Sequence, residues 1–427
     1  MRDLVIIGGG IAGAAAFKAA AEAGLSVCLL ERAAAGSATT AVTSGLFHGG
    51  LRYLAHDATT SLEMCREIAA LLRERPGLLS RQVFLWPVYR GHRLGLGLVE
   101  SLLEYYDRFA RERSSPGHFR LTAEETLERM PALEGRGLLG SLAFDEWRAD
   151  VPGLVKALLD EGRARGGEVL EGRPVSSFAV RSGRVVAARV RTQGGGTAEF
   201  YGRAFLNAAG PWAEEVADLA GARSVRLCLR RGAHLIVPQE PPPCGLIFPD
   251  PSGRYIGLYP RASEFWVGPT DDPHQGCPDR LEATAEESQR LRRGLATVLP
   301  GYGTAAGRTV VGLRPIFRQL LAGSLLSRDY RVIDHDREGI ENLVTVVGGK
   351  LTSHRPMAEE AVAAVLPKLD RAAPSQALRP ARAASRSRLA SLAVSVARLA
   401  YHVLRHLIAG PDPGRGGEAF RKAFPRD

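Results

Sequence analysis

Within the seven residues Phe47-His48-Gly49-Gly50-Leu51-Arg52-Tyr53 the chain places a histidine, two positions without side chains, an arginine and a tyrosine. Imidazole titrates near neutrality and can take up a proton from a reacting group. A guanidinium pairs its planar fork with anionic oxygens. Together these groups suit a small anionic substrate pressed against a redox cofactor. About forty residues earlier, Gly8, Gly10 and Gly13 form G-x-G-x-x-G directly after the apolar run Leu4–Ile7. The first glycine permits a tight turn, the second admits a pyrophosphate to the backbone, and the third lets helix and strand pack closely. The pyrophosphate is expected against amides of this turn, Ile11 and Ala12 included, at the positive end of the following helix. Glu31, at the end of the next apolar run and 18 residues past Gly13, can bond an adenosine ribose, with Arg32 beside it. An acid there disfavours a 2′-phosphate.

A simple nicotinamide enzyme would continue with further βα units. Here the Ser/Thr-rich stretch Gly36–Ser44 follows, and its Thr39, Thr40 and Ser44 offer hydroxyl and amide donors to a longer dinucleotide. The chain also carries Asn207-Ala208-Ala209-Gly210-Pro211-Trp212, Gly232-Ala233-His234, Gly268-Pro269-Thr270-Asp271, Gly312-Leu313-Arg314-Pro315, Ser327-Arg328-Asp329-Tyr330 and Gly348-Gly349-Lys350-Leu351-Thr352.

With these motifs, in this order over residues 1 to about 366, the chain resembles the FAD-dependent glycerol-3-phosphate dehydrogenases of the D-amino-acid-oxidase-like flavoprotein superfamily. The resemblance implies FAD as cofactor and no metal. It implies that sn-glycerol 3-phosphate is oxidised to dihydroxyacetone phosphate, with hydride passing to flavin N5 and electrons leaving to quinone or another acceptor. Arg52, Tyr53, Arg314, Arg328 and Lys350 then face a small anionic substrate, a phosphorylated polyol. His48 and His234 are the two candidates for receiving the hydroxyl proton, and Arg314 and Lys350 complete the catalytic set. Gly49, Gly50, Val175, Ala208, Ala209, Gly210, Trp212, Gly349, Lys350, Leu351 and Thr352 join the glycine turn in holding the cofactor. The amides of Gly348–Thr352 and the Lys350 charge would stabilise negative charge near N1 and O2 of the flavin.

Two features depart from the family pattern. Gly45 stands where the family commonly has lysine, three residues before the histidine, and the longer C-terminal extension of bacterial members is missing. Oxidation of a 2-hydroxy acid or amino acid is therefore an alternative reading. A flavin-binding protein associated with a membrane but without turnover is another. The set His48, Arg52, Arg314 and Lys350 argues against the latter.

These residues need elements to place them. Leu4–Ile7, an Ala-rich helix to about Ala23 and the strand Ser26–Leu30 form one βαβ unit. Helices are expected over about 60–75, after the Thr122/Glu125 capping box, and from Val151 to about Arg165. Strands are expected at Val169–Leu170, Val175–Val180, Val185–Val190, Phe205–Asn207, Ala233–Val237, Tyr255–Tyr259, Phe265–Val267 and Leu343–Val347. A last core helix is expected over about Ser353–Leu366. The fold class is α/β: a Rossmann-like FAD domain (1–80, 145–225 and 325–370) with an inserted, mainly antiparallel substrate domain (81–144 and 226–324). A linker over 371–384 leads to a basic helical tail over 385–427.

Composition bounds the rest. The 427 residues are 45% hydrophobic and 24% charged, which fits a globular protein with a large core. Leu4–Ile7 is too short for the apolar core of a signal peptide, and no stretch approaches the roughly 18 apolar residues of a membrane span. The net charge is +10, but residues 371–427 hold ten arginines and one lysine against three acidic residues, so the other 370 residues carry about +2. Nucleic acid is thus not the expected partner. The five scattered cysteines argue for a reducing compartment and against disulfides or zinc. The expected location is cytoplasmic, with the basic amphipathic tail a candidate for a peripheral membrane contact.

Overall fold

The computed structural model describes residues 1–54, 57–192, 195–318, 329–371 and 400. Two sheets dominate it. The first, eight-stranded, runs in the order Arg331–Asp334, Leu343–Val347, Thr197–Asn207, Arg2–Ile7, Val27–Leu30, Glu168–Leu170, with the hairpin Val175–Arg181/Arg184–Arg191 attached to Thr197–Asn207. Its central pairings are parallel, and Arg331–Asp334 is antiparallel. Strands buried on both faces read as unbroken apolar runs, and every residue from Leu4 to Ile7 and from Leu343 to Val347 is buried. Helices Ile11–Glu22, Val151–Arg163 and His354–Val365 pack on this sheet, burying Phe17, Leu154, Leu158, Ala361 and Val365 in one core with Leu4, Ile6 and Leu206.

The second sheet has ten strands, from Asp272–Pro273 through Leu227–Val237, Phe265–Gly268, Tyr255–Pro260, Gly245–Pro249, Leu79–Tyr89 and Leu138–Ala149 to Leu46–Phe47. Arg308–Phe317 pairs along Leu227–Val237 over ten positions. All its pairings are antiparallel except that between Gly245–Pro249 and Leu79–Tyr89. The short strand Leu46–Phe47, just before His48, pairs with Arg148 and Trp147, so the histidine segment hangs from the second sheet. Helix Leu96–Ala110 covers part of that sheet, and helix Ala285–Val298 covers another.

Local chemistry explains the helix starts. Asp150 caps Val151–Arg163 through Gly153, with proline in its first turn. Thr122/Glu125 and Thr284/Glu287 form full capping boxes. Among the described residues no helix is long and apolar enough to cross a membrane. The linker and the basic tail of the sequence analysis lie outside the described residues, Arg371 and Ala400 excepted.

Candidate active site

A continuous cavity of about 990 Å³ lies between the two sheets, at the carboxyl ends of the parallel strands. That is where open α/β sheets bind ligands. Its cofactor side is a set of backbone turns. Gly8 has φ +102°, and a Cβ at Gly13 would fall 1.8 Å from the Gly8 carbonyl oxygen, so strand and helix close up only because both residues lack side chains. The Ile11 amide donates to Thr40 Oγ1 at 3.1 Å, which sets the Ser/Thr-rich loop against the helix N-terminus. Glu31 accepts from the Gly9 amide at 2.6 Å and from the Ala33 amide at 2.8 Å, fixing its carboxylate at the rim of the glycine turn.

The other turns are built as carefully. Asn207 donates to the Ala213 carbonyl at 2.8 Å and accepts from the Ala209 amide at 3.2 Å, which shapes Ala208–Trp212. Gly348 and Gly349 both have left-handed φ, +78° and +84°, ahead of Lys350, whose amide donates to Ser353 Oγ at 2.9 Å. Gly8, Gly10, Ile11, Ala12, Glu31, Arg32, Thr39, Thr40, Ser44, Val175, Ala208, Ala209, Gly210, Trp212, Gly349, Leu351 and Thr352 all line the cavity. Gly13, Gly49 and Gly50 stand behind its wall. A long cavity with a φ-positive glycine turn, a terminal acid and two further glycine turns fits an extended dinucleotide.

Further charged and titratable groups converge on the same cavity. His48, Arg52, Tyr53, His234, Arg314 and Lys350 all line the same cavity, although they come from segments as far apart as residues 48 and 350. The Lys350 ammonium lies 4.6 Å from the centre of the Tyr53 ring and 3.2 Å from Asp329 Oδ1. The rings of His48 and Tyr53 are 6.0 Å apart. Arg314 bonds the carbonyls of Thr270 (3.2 Å) and Arg231 (3.4 Å) and contacts Asp271 Oδ1 at 3.3 Å. A Cβ at Gly232, on the paired strand two residues from Arg230, which pairs with Arg314, would strike the guanidinium at 2.3 Å, so this glycine makes room for the fork. Arg328 lies outside the described residues.

His234 is fully buried, and neither ring nitrogen has a hydrogen-bond partner among the described residues. Burial, reinforced by the charges of Arg314 and Arg261, holds its pKa down to about 3, so the ring is neutral at physiological pH. Gly45 has φ +72° and its carbonyl accepts from the Ala149 amide at 2.9 Å; a left-handed residue there favours glycine over lysine.

Glu146 and Tyr259 carried no signal of a site role in the sequence, whereas Asp271 stands in the Gly268–Asp271 segment. Glu146 lines the cavity while accepting from the Gly49 amide (3.0 Å) and the Tyr106 hydroxyl (2.6 Å), with Arg113 Nη2 at 3.3 Å. Asp271 is gripped by Arg230 (3.0 Å), Arg254 (2.8 Å) and Arg314. Tyr259 sits beside His234 with ring centres 6.3 Å apart. Each lies on a strand or turn that only sheet pairing brings to the site.

Residues 3–364 match the family model of FAD-dependent oxidoreductases (DAO). The chain belongs to this FAD-dependent oxidoreductase family. Its cofactor is FAD. The chain is 30% identical over 371 residues to the aerobic glycerol-3-phosphate dehydrogenase of Staphylococcus saprophyticus, covering 84% of this chain and 66% of the relative. It is also 30% identical over 379 residues to that of Staphylococcus aureus, covering 86% and 67%. It therefore spans about two thirds of the length of the curated relatives it matches. Among solved structures, the glycerol-3-phosphate dehydrogenase of Bacillus halodurans complexed with FAD aligns with a TM-score of 0.70 at 24% identity, over 88% of this chain and 66% of that one. The L-α-glycerophosphate oxidase of Mycoplasma pneumoniae with FAD bound gives 0.67 at 20% identity, over 89% and 99%. Glycine oxidase from Bacillus cereus gives 0.64 at 18% identity, over 90% and 100%. These structural likenesses carry the fold.

Proposed function

We propose that the protein oxidises sn-glycerol 3-phosphate to dihydroxyacetone phosphate, with quinone or another acceptor taking the electrons. The observation that carries this reading is the convergence of Arg52, Arg314, Lys350 and two histidines on the cavity that the cofactor turns line. Bound FAD supplies the hydride acceptor. Arg52, Arg314 and Lys350 bind the phosphate, with Arg314 already oriented by Thr270 and Asp271 and so spared part of the ordering cost. His234 is supported as the proton acceptor because its ring is neutral, buried and, among the described residues, without a hydrogen-bond partner on either nitrogen. A phosphate placed beside Arg314 offsets the charge that depresses this imidazole and makes it a better base. His48 then orients the substrate from the other side, on its Glu146-anchored segment. The curated relatives' names support the phosphate ester as substrate.

Anaerobic mixing of the FAD-loaded protein with glycerol 3-phosphate tests this. The visible flavin absorbance should bleach, and Arg314→Gln should require roughly tenfold or more substrate for the same rate, as expected for loss of charge-assisted hydrogen bonds. Bleaching by a 2-hydroxy acid or an amino acid, with none by the phosphate ester, would overturn the reading. We further propose that the protein is cytoplasmic, with the basic tail 385–427 as its contact to a membrane surface; equal liposome co-sedimentation with and without 371–427 would sink that part.

A further inference from the structure

The cavity wall formed by the second sheet is divided in two. Strand pairing sets Phe84 opposite Phe144, Ile247 opposite Gly257, Tyr259 opposite Trp266, Trp266 opposite Ile236 and Gly232 opposite Gly312. Because side chains alternate along a strand, this register puts Phe84, Trp86, Phe144, Ile247, Tyr255 and Tyr259 on the same face as His234 and Arg314. All eight line the cavity. His234 and Arg314 come from Leu227–Val237 and Arg308–Phe317, and the apolar half from the four strands Tyr255–Pro260, Gly245–Pro249, Leu79–Tyr89 and Leu138–Ala149.

The apolar half is a connected aromatic surface. The rings of Phe84 and Phe144 lie 5.8 Å apart, Phe84 and Tyr259 6.0 Å, and Trp86 and Tyr255 5.0 Å. A Cβ at Gly257 would fall 2.5 Å from the Tyr259 ring, so the glycine lets that ring lie across the strand and join the two halves. None of these residues comes from the turns that form the cofactor side. Phe84 is fully buried and Phe144, Tyr259 and Trp86 show only their edges, so Ile247 and Tyr255 present most of the accessible surface of this half, and glycerol 3-phosphate has no apolar group to set against it.

We propose that the aromatic half is a substrate pocket: the preferred substrate is an anionic alcohol carrying an aromatic or branched-alkyl substituent that packs on Ile247 and Tyr255 and against the edges of Trp86, Phe144 and Tyr259. This rests on the reading that the charged half binds the substrate's anion, and glycerol 3-phosphate then fills that half alone. The size of the added group sets preference among substrates, while Arg314, Arg52 and Lys350 set the requirement for charge.

Titration of the FAD-loaded protein with phenyl phosphate and with methyl phosphate, followed by perturbation of the flavin spectrum, tests the pocket without any variant. Phenyl phosphate should bind roughly tenfold or more tightly than methyl phosphate, the gain expected from burying a ring. Tyr255→Ser and Ile247→Ala, both at half-buried positions, should each lose most of that preference. Equal affinities, no binding of phenyl phosphate, or a preference unchanged in both variants would overturn the proposal. Bleaching by glycerol 3-phosphate is read separately on the same preparation. Its failure with the phenyl preference intact counts against the parent reading, and its success with no preference counts against the pocket.

Discussion

Glu146 holds three groups with one carboxylate, and through the Gly49 amide it fixes the backbone beside His48. Burial pushes its carboxyl up, and the Arg113 guanidinium, itself 1% exposed, pulls it back toward the ionised form. Glu146→Ala leaves Arg113 buried beside Asp145 alone and removes the anchor of the histidine segment. The expected loss is about 3–5 kcal/mol in thermal or denaturant unfolding. Glu146→Gln keeps an acceptor oxygen and should lose less, about 1–3 kcal/mol. Equal losses would mean that the charge matters and the hydrogen bonds do not. A second residue-scale prediction concerns pH. His234 and His354 are fully buried, with pKa values depressed to about 3 and about 4 from 6.5. Desolvation is the largest cause for both. Their unfolded forms therefore bind protons that the native forms refuse. No penalty exists above pH 6.5, and it grows as pH falls, by at most about 1.4 kcal/mol per unit for each histidine. The melting temperature should thus fall between pH 6.5 and 5, before ordinary carboxylates titrate. His354→Asn should flatten part of that slope, and a flat profile in the parent protein would show that these rings are not buried neutral.

At the scale of elements, the cofactor side depends on close approach and the substrate side on pairing. Gly13→Ala puts a methyl 1.8 Å from the Gly8 carbonyl, so helix Ile11–Glu22 must move off its strand. The variant should lose roughly tenfold or more in FAD affinity, measured by flavin fluorescence on titrating the apoprotein. Thr284→Ala removes the capping box of Ala285–Val298, whose Glu287 also pairs with Arg231 at 2.7 Å. It should cost about 1 kcal/mol of stability. The contrast explains what the sequence made legible. The βαβ start, the strand Leu343–Val347, the helix starts at Ala123 and Val151 and the glycine turns all carry their signals locally, as runs, caps and spacings. The fold class followed from them. The long strands Leu79–Tyr89 and Leu138–Ala149 and the helices Leu96–Ala110 and Ala285–Val298 did not stand out. The two strands are buried on stretches of both faces, as over Phe84–Val88, so no period of two marks them. Phe205–Asn207 proved to be the end of an eleven-residue strand whose outer half, from Thr197, is polar and alternating. Glu146, Tyr259 and the aromatic wall were illegible for the same reason. Their roles arise from register between strands distant in sequence.

At the scale of the molecule, the cavity is closed by contacts that bridge the two sheets and are mostly exposed. Thr39 donates to the Leu313 carbonyl at 2.9 Å, tying the Ser/Thr-rich loop to the strand that carries Arg314. At the outer end, Arg32 stacks 3.7 Å from the Trp212 ring, and both bond Asp279 Oδ1, at 2.7 and 3.0 Å. All three line the cavity, and the bridge spans 247 residues of sequence between the strand end after Glu31 and the second sheet's outer loop. The side chains of Arg32 and Asp279 are 42% and 53% exposed, so the ion pair is screened and worth under about 1 kcal/mol. A weak, exposed bridge over a dinucleotide site acts on how fast the ligand leaves more than on whether the fold holds. Asp279→Asn should therefore leave the melting temperature of the apoprotein within about 1 °C. It should speed FAD release by at most roughly fivefold at low salt. The difference should vanish near 1 M salt, where the Debye length is about 3 Å. Trp212→Ala removes the stacking partner as well and should speed release further, at all salt concentrations. Identical release from the parent and Asp279→Asn at low ionic strength would show that the bridge is a surface contact without a part in holding the cofactor.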